Sequence, residues 1–525
     1  MKPGVVRIVA IVLVVGLLVG GGVLAAVTAL HADDAAGGSS RSSGPAPTTT
    51  PSPGATKPPR AALAAFYGQR LAWKPCQDSF ECATLTVPLD YAKPDGETID
   101  LALLKVPAAD PSAREGSLVV NPGGPGQPGT GYAASAKDVF RQPLLDHFDI
   151  VGFDPRGTGQ SDPVDCLSDA ALDTYVAGDP NPDTPAEVRA YEDSVQALGA
   201  GCVKLSGDLA SHISTIEAAR DMDVLRAALG ESKLTYLGAS YGTKLGATYA
   251  ELFPKQVGRL VLDGAVDLSI SSRELSLEQA AGFETALRAY VQNCLDSADD
   301  CFLGDTVEEG LTKIRDFLGQ VEDQPLDTST DRELAAGQAF YGIVLPLYSR
   351  DNWYILSQAL KQGFSGDGST LLLLADLYSS RSQDGGYDDN SLEANYAINC
   401  LDDPYAISAD QVPANEPDFE KASPTFGDVF AWSLTTCGGV VARTTEKPIT
   451  VRGEGAAPIV VVGTTRDPAT PYQWAVHLAD QLASGVLVSR DGDGHTGYNS
   501  GNACVDDAVE GYLIDGTVPK DGLSC

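Results

Sequence analysis

Basic residues are scarce in this chain. Lys and Arg number 36 against 71 Asp and Glu over 525 residues, a formal net charge of −35. Such a surface repels phosphate backbones and anionic headgroups, which excludes nucleic-acid binding and docking on lipid through a basic patch. The charge is spread along the chain, as on a solvated acidic surface. Histidine is also rare, at 5 residues, and there is no C-x-x-C pair and no H-E-x-x-H, so a metal site is disfavoured. No Cys stands directly after the N-terminal apolar run, so a lipoprotein anchor has no support. Charged residues make up 20% and hydrophobic residues 43%, ordinary for a packed core.

That apolar run extends from Ile8 to Leu30, after Lys2 and Arg7 and before His31, Asp33 and Asp34. It reaches the roughly 20 residues of a spanning helix, with positive charge on the inner side. Residues 1–32 are therefore expected to be a membrane anchor or a signal cleaved near Val27-Thr28-Ala29; either exports the chain. Residues 33–61 are rich in Gly, Ser, Pro, Thr and Ala without apolar period, and read as a flexible stalk. In an exported protein the ten Cys read as disulfides. About 945 pairings are possible. Spacing suggests Cys76–Cys82, Cys166–Cys202, Cys294–Cys301, Cys400–Cys437 and Cys504–Cys525.

Two hairpin-like strands near Ala83–Leu89 and Thr98–Val106 come first. Short unalternating apolar runs follow at Ser117–Asn121, Asp149–Phe153, Leu234–Gly238, Arg259–Leu262, Ile459–Gly463 and Val486–Ser489. Runs of this kind suit strands buried on both faces of a parallel sheet, and the helical patterns between them predict an open α/β fold. Residues 268–395 break the alternation. Phe283, Ala286, Leu287, Tyr290 and Val291 share one helical face, and Asp305 with Glu308 looks like a capping box. The block reads as a helical cap between core segments 62–267 and 396–525.

Gly238-Ala239-Ser240-Tyr241-Gly242 is a G-x-S-x-G directly after a strand and before a helix. That context allows a sharp turn exposing the Ser240 hydroxyl. A serine nucleophile needs a base and an orienting acid, which follow it in that order as acid, then His. Only His477 and His495 lie beyond Ser240. His477 falls within an amphipathic helix, as a surface or packing residue would. His495 lies in a Gly-rich loop beyond a strand, as does Asp467, and Thr470 is close enough to donate to Asp467. Ser240, Asp467 and His495 are thus the candidate triad, with the N–H groups of Gly124 and Tyr241 as the oxyanion hole.

Two rival readings attach to these loops. Gly124, Gly126 and Gly129 spell G-x-G-x-x-G before Asp154, the outline of a dinucleotide site, but Pro125 and Pro128 remove N–H donors. Asp491, Asp493 and Gly494 mimic a calcium loop, but its twelfth position is Asn502 rather than an acid.

Across 62–525 the chain resembles the exported tripeptidyl-aminopeptidase-type α/β-hydrolases of actinobacteria, relatives of prolyl iminopeptidases. The resemblance rests on N-P-G-G-P-G at 121–126, G-F-D-P-R-G-T-G-Q-S-D at 152–162, G-A-S-Y-G-T at 238–243, L-D-G-A-V-D at 262–267, A-I-N-C-L-D at 397–402, R-D-P-A-T-P at 466–471 and G-H-T at 494–496. It implies an α/β-hydrolase fold with an inserted cap, the Cys400–Cys437 bridge, and serine-hydrolase chemistry on peptides with a free N-terminus. Gly438-Gly439 replaces a Trp-containing stretch of the family, which bears on substrate preference. An exopeptidase must hold an ammonium group, for which Asp267, Asp402 and Asp403 are the candidates. The chemistry requires no cofactor. The expected partner is a peptide met by a monomer, with membrane contact only through the N-terminal segment. An esterase or lipase would use the same triad, and a catalytically silent cell-wall binding module would share the fold.

Overall fold

The computed structural model describes residues 51–525 except 78, 298, 299 and 440, so the expected anchor and most of the stalk lie outside the described residues. Ten strands form one sheet: β1 (Lys74–Cys76), β2 (Phe80–Pro88), β3 (Thr98–Val106), β4 (Gly116–Asn121), β5 (Phe148–Phe153), β6 (Leu234–Ala239), β7 (Val257–Asp263), β8 (Ile459–Arg466), β9 (Gly485–Asp493) and β10 (Leu523–Ser524). Their order is β1-β2-β3-β5-β4-β6-β7-β8-β9-β10. β1, β2 and β3 pair antiparallel, β3 runs antiparallel to β5, and every pairing from β5 to β10 is parallel. The eight expected strands are all present. β1 and β10, of three and two residues, are too short to show in the apolar pattern.

The central strands are buried on both faces, and alternate residues divide between two cores. Ile459 and Val461 pack with Tyr236, Leu260, Leu262, Met222, Leu245 and Leu478. Val460 and Val462 pack with Val120, Val261, Phe140, Leu144, Val509 and Leu513. Helices Thr215–Ala228, Tyr241–Leu252 and Tyr472–Gln481 thus cover one face, and Gly129–Ala134, Gln142–His147 and Ala503–Asp515 the other.

Between β7 and β8 the chain builds a second hydrophobic body around Phe283, Leu287, Ile314, Phe340, Leu356 and Leu371. It continues past the expected boundary at 395, because Phe419, Phe426, Phe430 and Trp432 belong to the same cluster. The helix Ser391–Asp402 turns back instead, burying Tyr396, Ile398 and Leu401 in the sheet core. One helix of this body, Val307–Asp323, is capped by Thr306, whose hydroxyl accepts from Glu309 N, one residue later than the Asp305/Glu308 reading.

The last part of the expected stalk is docked. Ser52 N–H donates to Gly230 O at 2.8 Å, Arg226 Nη1 donates to Ala55 O at 3.0 Å, and Ala55 is buried. Tyr67 then donates to Asp223 at 2.6 Å. All five spacing-suggested disulfides are formed, and no free Cys remains among the described residues. No helix of the described residues is long and apolar enough to cross a membrane.

Candidate active site

The carboxyl ends of β6, β7, β8 and β9 converge on one side of the sheet. Ser240 follows β6 and caps helix Tyr241–Leu252 with φ 56° and ψ −126°. A non-glycine residue in that region is strained, and the surroundings must hold it. Here Ser240 N donates to Asp263 O at 2.9 Å, while Ser240 O accepts from Thr243 N at 2.8 Å and Thr243 Oγ1 at 2.6 Å. The Tyr241 N–H opens the helix, where early N–H groups lack intrahelical acceptors and the dipole favours negative charge.

The turn at Asn121–Gly126 lies against this elbow. Gly123 has φ +100°, and a Cβ there would meet Ala239 O at 2.6 Å and Tyr241 N at 2.9 Å. Gly123 N donates to Asn121 Oδ1, so the next N–H in the turn, that of Gly124, remains the candidate donor. The far side of the turn is held by helix Ser391–Asp402: Asn395 Nδ2 donates to Pro125 O, and a Cβ on Gly126 would strike Ser391 O.

His495 lies in the loop after β9. Its Nδ1 is 2.9 Å from both Asp467 oxygens. Asp467 also accepts from Ala469 N at 2.9 Å, Thr470 N at 2.8 Å and Thr496 N at 3.1 Å, which fixes the carboxylate. The Thr470 hydroxyl lies 3.3 Å from His495 Nδ1, so it is the backbone N–H of Thr470 that reaches Asp467. Burial lowers the His495 pKa, but the charge and hydrogen bond of Asp467, with Asp263 behind, outweigh it, and the net direction is up. No hydrogen bond joins Ser240 Oγ to His495 in this conformation; such contacts in unliganded enzymes often tighten only with substrate.

The cap reaches this loop directly. Tyr348 O accepts from His495 N at 2.8 Å, and its ring meets the imidazole edge-on at 5.5 Å. Arg350 Nη1 lies 3.1 Å from Asp493, which also pairs with Arg466. Asp491 pairs with the same arginine, so both acids of the apparent calcium loop are neutralised by protein cations.

His477 is not at the site; its Nδ1 lies 2.6 Å from Asp267. That contact, with the N–H and hydroxyl of Ser269, occupies the buried Asp267 carboxylate. Asp402 accepts from Thr215 N at 2.9 Å and pairs with Lys244 at 2.7 Å. Asp403 binds Ser272 Oγ and Tyr405 N. The three acids expected to hold a substrate amine are therefore each engaged with the protein's own groups in this conformation. Asp154 is buried and accepts from Thr130 N and Gln160 N, leaving no carboxylate for a ribose. Asp90, His212 and Glu217 bring ligand-type atoms within 4.8 Å, but Glu217 lies 3.7 Å from the Arg156 guanidinium, which opposes a cation.

Two contributors were not singled out by sequence reasoning. Tyr348 sits in the helical block, whose pattern carries no site signal. Asp263 lies within L-D-G-A-V-D, and its place at a strand end beside the nucleophile strand is the sequence signal for it.

Comparison with known proteins finds relatives along most of the chain. A family model described as TAP-like protein matches residues 423–525. Serine protease Hip1 of Mycobacterium tuberculosis is 38% identical over 480 residues, covering 87% of this chain and 91% of the relative. Carboxylesterase B of the same species is 38% identical over 474 residues, covering 86% and 89%. Tripeptidyl aminopeptidase of Streptomyces coelicolor is 31% identical over 491 residues, covering 89% and 88%.

Proposed function

Because the chain belongs to the tripeptidyl-aminopeptidase-type family of α/β-hydrolases, we propose that it is an exported serine peptidase acting on the free N-terminus of peptides. The observation that carries this reading is the Asp467–His495 pair set beyond adjacent strands beside the elbow at Ser240. His495 Nε2 takes the Ser240 proton as Oγ attacks the scissile carbonyl carbon. Asp467 holds the Nδ1–H tautomer and stabilises the imidazolium that forms. The Gly124 and Tyr241 N–H groups receive the oxyanion. The imidazolium then protonates the leaving amine, and water, deprotonated by His495, releases the peptide fragment from the acyl-enzyme.

Five disulfides belong to an oxidising compartment, and the chain is extracytoplasmic. We place it at the envelope, tethered through residues 1–32 or released by cleavage there, and acting as a monomer. A second reading is favoured by one comparison, since a relative of equal identity is a carboxylesterase. The deciding experiment offers the enzyme a free-amine peptide library, its N-acetylated counterpart and para-nitrophenyl esters, and sequences the released fragments. Short N-terminal fragments from the free-amine set alone are expected. Equal cleavage of acetylated peptides overturns the aminopeptidase reading, and ester turnover without peptide cleavage establishes the second.

A further inference from the structure

We propose that Asp263 is a positioning residue whose main chain holds the nucleophile and whose side chain holds the loop carrying the base. It ends β7, between the strand leading to Ser240 and the strand leading to Asp467. Its carbonyl accepts from Ser240 N at 2.9 Å. Its Oδ1 accepts from Gly497 N at 2.7 Å and its Oδ2 from Tyr498 N at 2.9 Å, two and three residues past His495. Gly264 comes next, at φ +66°, and a Cβ there would stand 3.1 Å from His495 Cε1. One residue thus ties the strained elbow to the floor beneath the imidazole.

The rest of the loop is tied elsewhere. Arg490 donates to Asp493 O at 3.0 Å and Ser500 O at 2.9 Å, spanning its two ends. Thr464 Oγ1 donates to Thr496 O at 2.8 Å. Asp467 accepts from Thr496 N at 3.1 Å, and among the described residues Asp263 is the side chain that accepts from Gly497 N and Tyr498 N.

Asp263 is 2% exposed, and the two N–H groups are its hydrogen-bond donors among the described residues. Burial pushes its carboxyl up to about 6, against the lowering effect of those donors. The charged or titratable groups that face it are His495 and Asp467, Arg490 on β9 and Tyr132 on helix Gly129–Ala134. An apolar residue would be easier to bury here. What the carboxylate adds is two directed acceptors and a negative charge that raises the His495 pKa.

The inference rests on Ser240 and His495 being nucleophile and base, and is tested in the full chain. Asp263→Asn keeps the side chain's shape, leaves one of the two N–H groups without an acceptor and removes the charge. On kcat per fluorophosphonate-titrated site, a loss on the order of tenfold or more is expected, with KM within about threefold of wild type. The acid limb of kcat/KM should move to lower pH, since the imidazole no longer feels the carboxylate. A kcat per titrated site within about twofold of wild type, or an unmoved acid limb, overturns the proposal. If Ser240→Ala retains activity, the triad reading falls instead; an inactive Ser240→Ala beside an unaffected Asp263→Asn sinks only the role of Asp263. Should the variant not fold, the wild type still decides: the Gly497 and Tyr498 amides, bonded to the Asp263 carboxylate, should be strongly protected from hydrogen exchange. Exchange of these amides at the rate of an unstructured chain overturns the assignment.

Discussion

Replacing Gly123 by alanine puts a methyl group where the oxyanion turn touches the nucleophile elbow. At φ +100° the residue would carry a strain of roughly 1–2 kcal/mol. The new Cβ would lie 2.6 Å from Ala239 O, 2.9 Å from Ser240 Cβ and 2.9 Å from Tyr241 N. None of these is the end of a flexible side chain. Restoring contacts of about 3.5 Å needs a retreat of roughly 0.6–0.9 Å, by the turn or by the elbow. Either movement carries the Gly124 N–H away from the place where the oxyanion develops. The loss of one such donor costs on the order of 10²–10³ in kcat, or about 3–4 kcal/mol. Turnover of a chromogenic tripeptide amide, with a thermal melt on the same sample, separates the two effects. A kcat reduced 100-fold or more is expected alongside a modest fall in Tm, the factor being the one for a lost donor. A kcat within about threefold of wild type would refute the placement of the oxyanion hole. Gly319→Ala is the control: it lies in helix Val307–Asp323, nothing is within 4 Å of its Cβ position, and it should leave kcat unchanged.

Other outcomes follow from the same geometry. Ser240→Ala and His495→Ala should each lose on the order of 10⁴-fold or more in kcat with Tm nearly unchanged, whereas His477→Ala should stay within about threefold; the reverse for the two histidines would mean that the wrong base has been assigned. The raised His495 pKa predicts that kcat/KM falls as the imidazole protonates, with a midpoint above the ordinary 6.5; a midpoint below that value contradicts the pairing with Asp467. A raised imidazole also favours the folded state at low pH, a contribution present below the unfolded pKa and lost as pH rises through the folded one. Arg156 is fully buried, donates through Nε and Nη2 to Asp221 at 2.7 Å, and contacts the carbonyls of Pro88, Leu89 and His212. Arg156→Met should cost about 3–5 kcal/mol in denaturant unfolding, because Asp221 is left buried without its cation; a loss under 1 kcal/mol would show that Asp221 is readily neutralised.

The parts of the fold that could be read from the sequence are those with local causes. Ile459-Val460-Val461-Val462 is a strand buried on both faces because every residue is apolar, and the G-x-S-x-G elbow announces itself through flanking glycines. The five bridges join Cys that are successive among the Cys in sequence, which is the pairing that spacing suggests without fixing it. What could not be read depends on distant partners. The return of Ser391–Asp402 to the sheet, while Phe419 and Trp432 rejoin the cap, is decided by packing between segments far apart in the chain. Among 71 acids, nothing local distinguishes Asp267, tied to His477, from an acid free to meet a substrate amine. Asp263 gains its place from a loop more than 200 residues away.

The docking of Ser52 on Gly230 gives the molecule a polarity. Gly230 precedes β6 at its amino end, and Ser240 follows the same strand at its carboxyl end. Six residues of strand, at about 3.3 Å each, set these two points roughly 20 Å apart across the sheet. Pro51 and Ser52 therefore lie at the pole opposite the catalytic mouth. A surface, a bead or a fused carrier attached there leaves the substrate approach open, and an enzyme held by that end works facing outward.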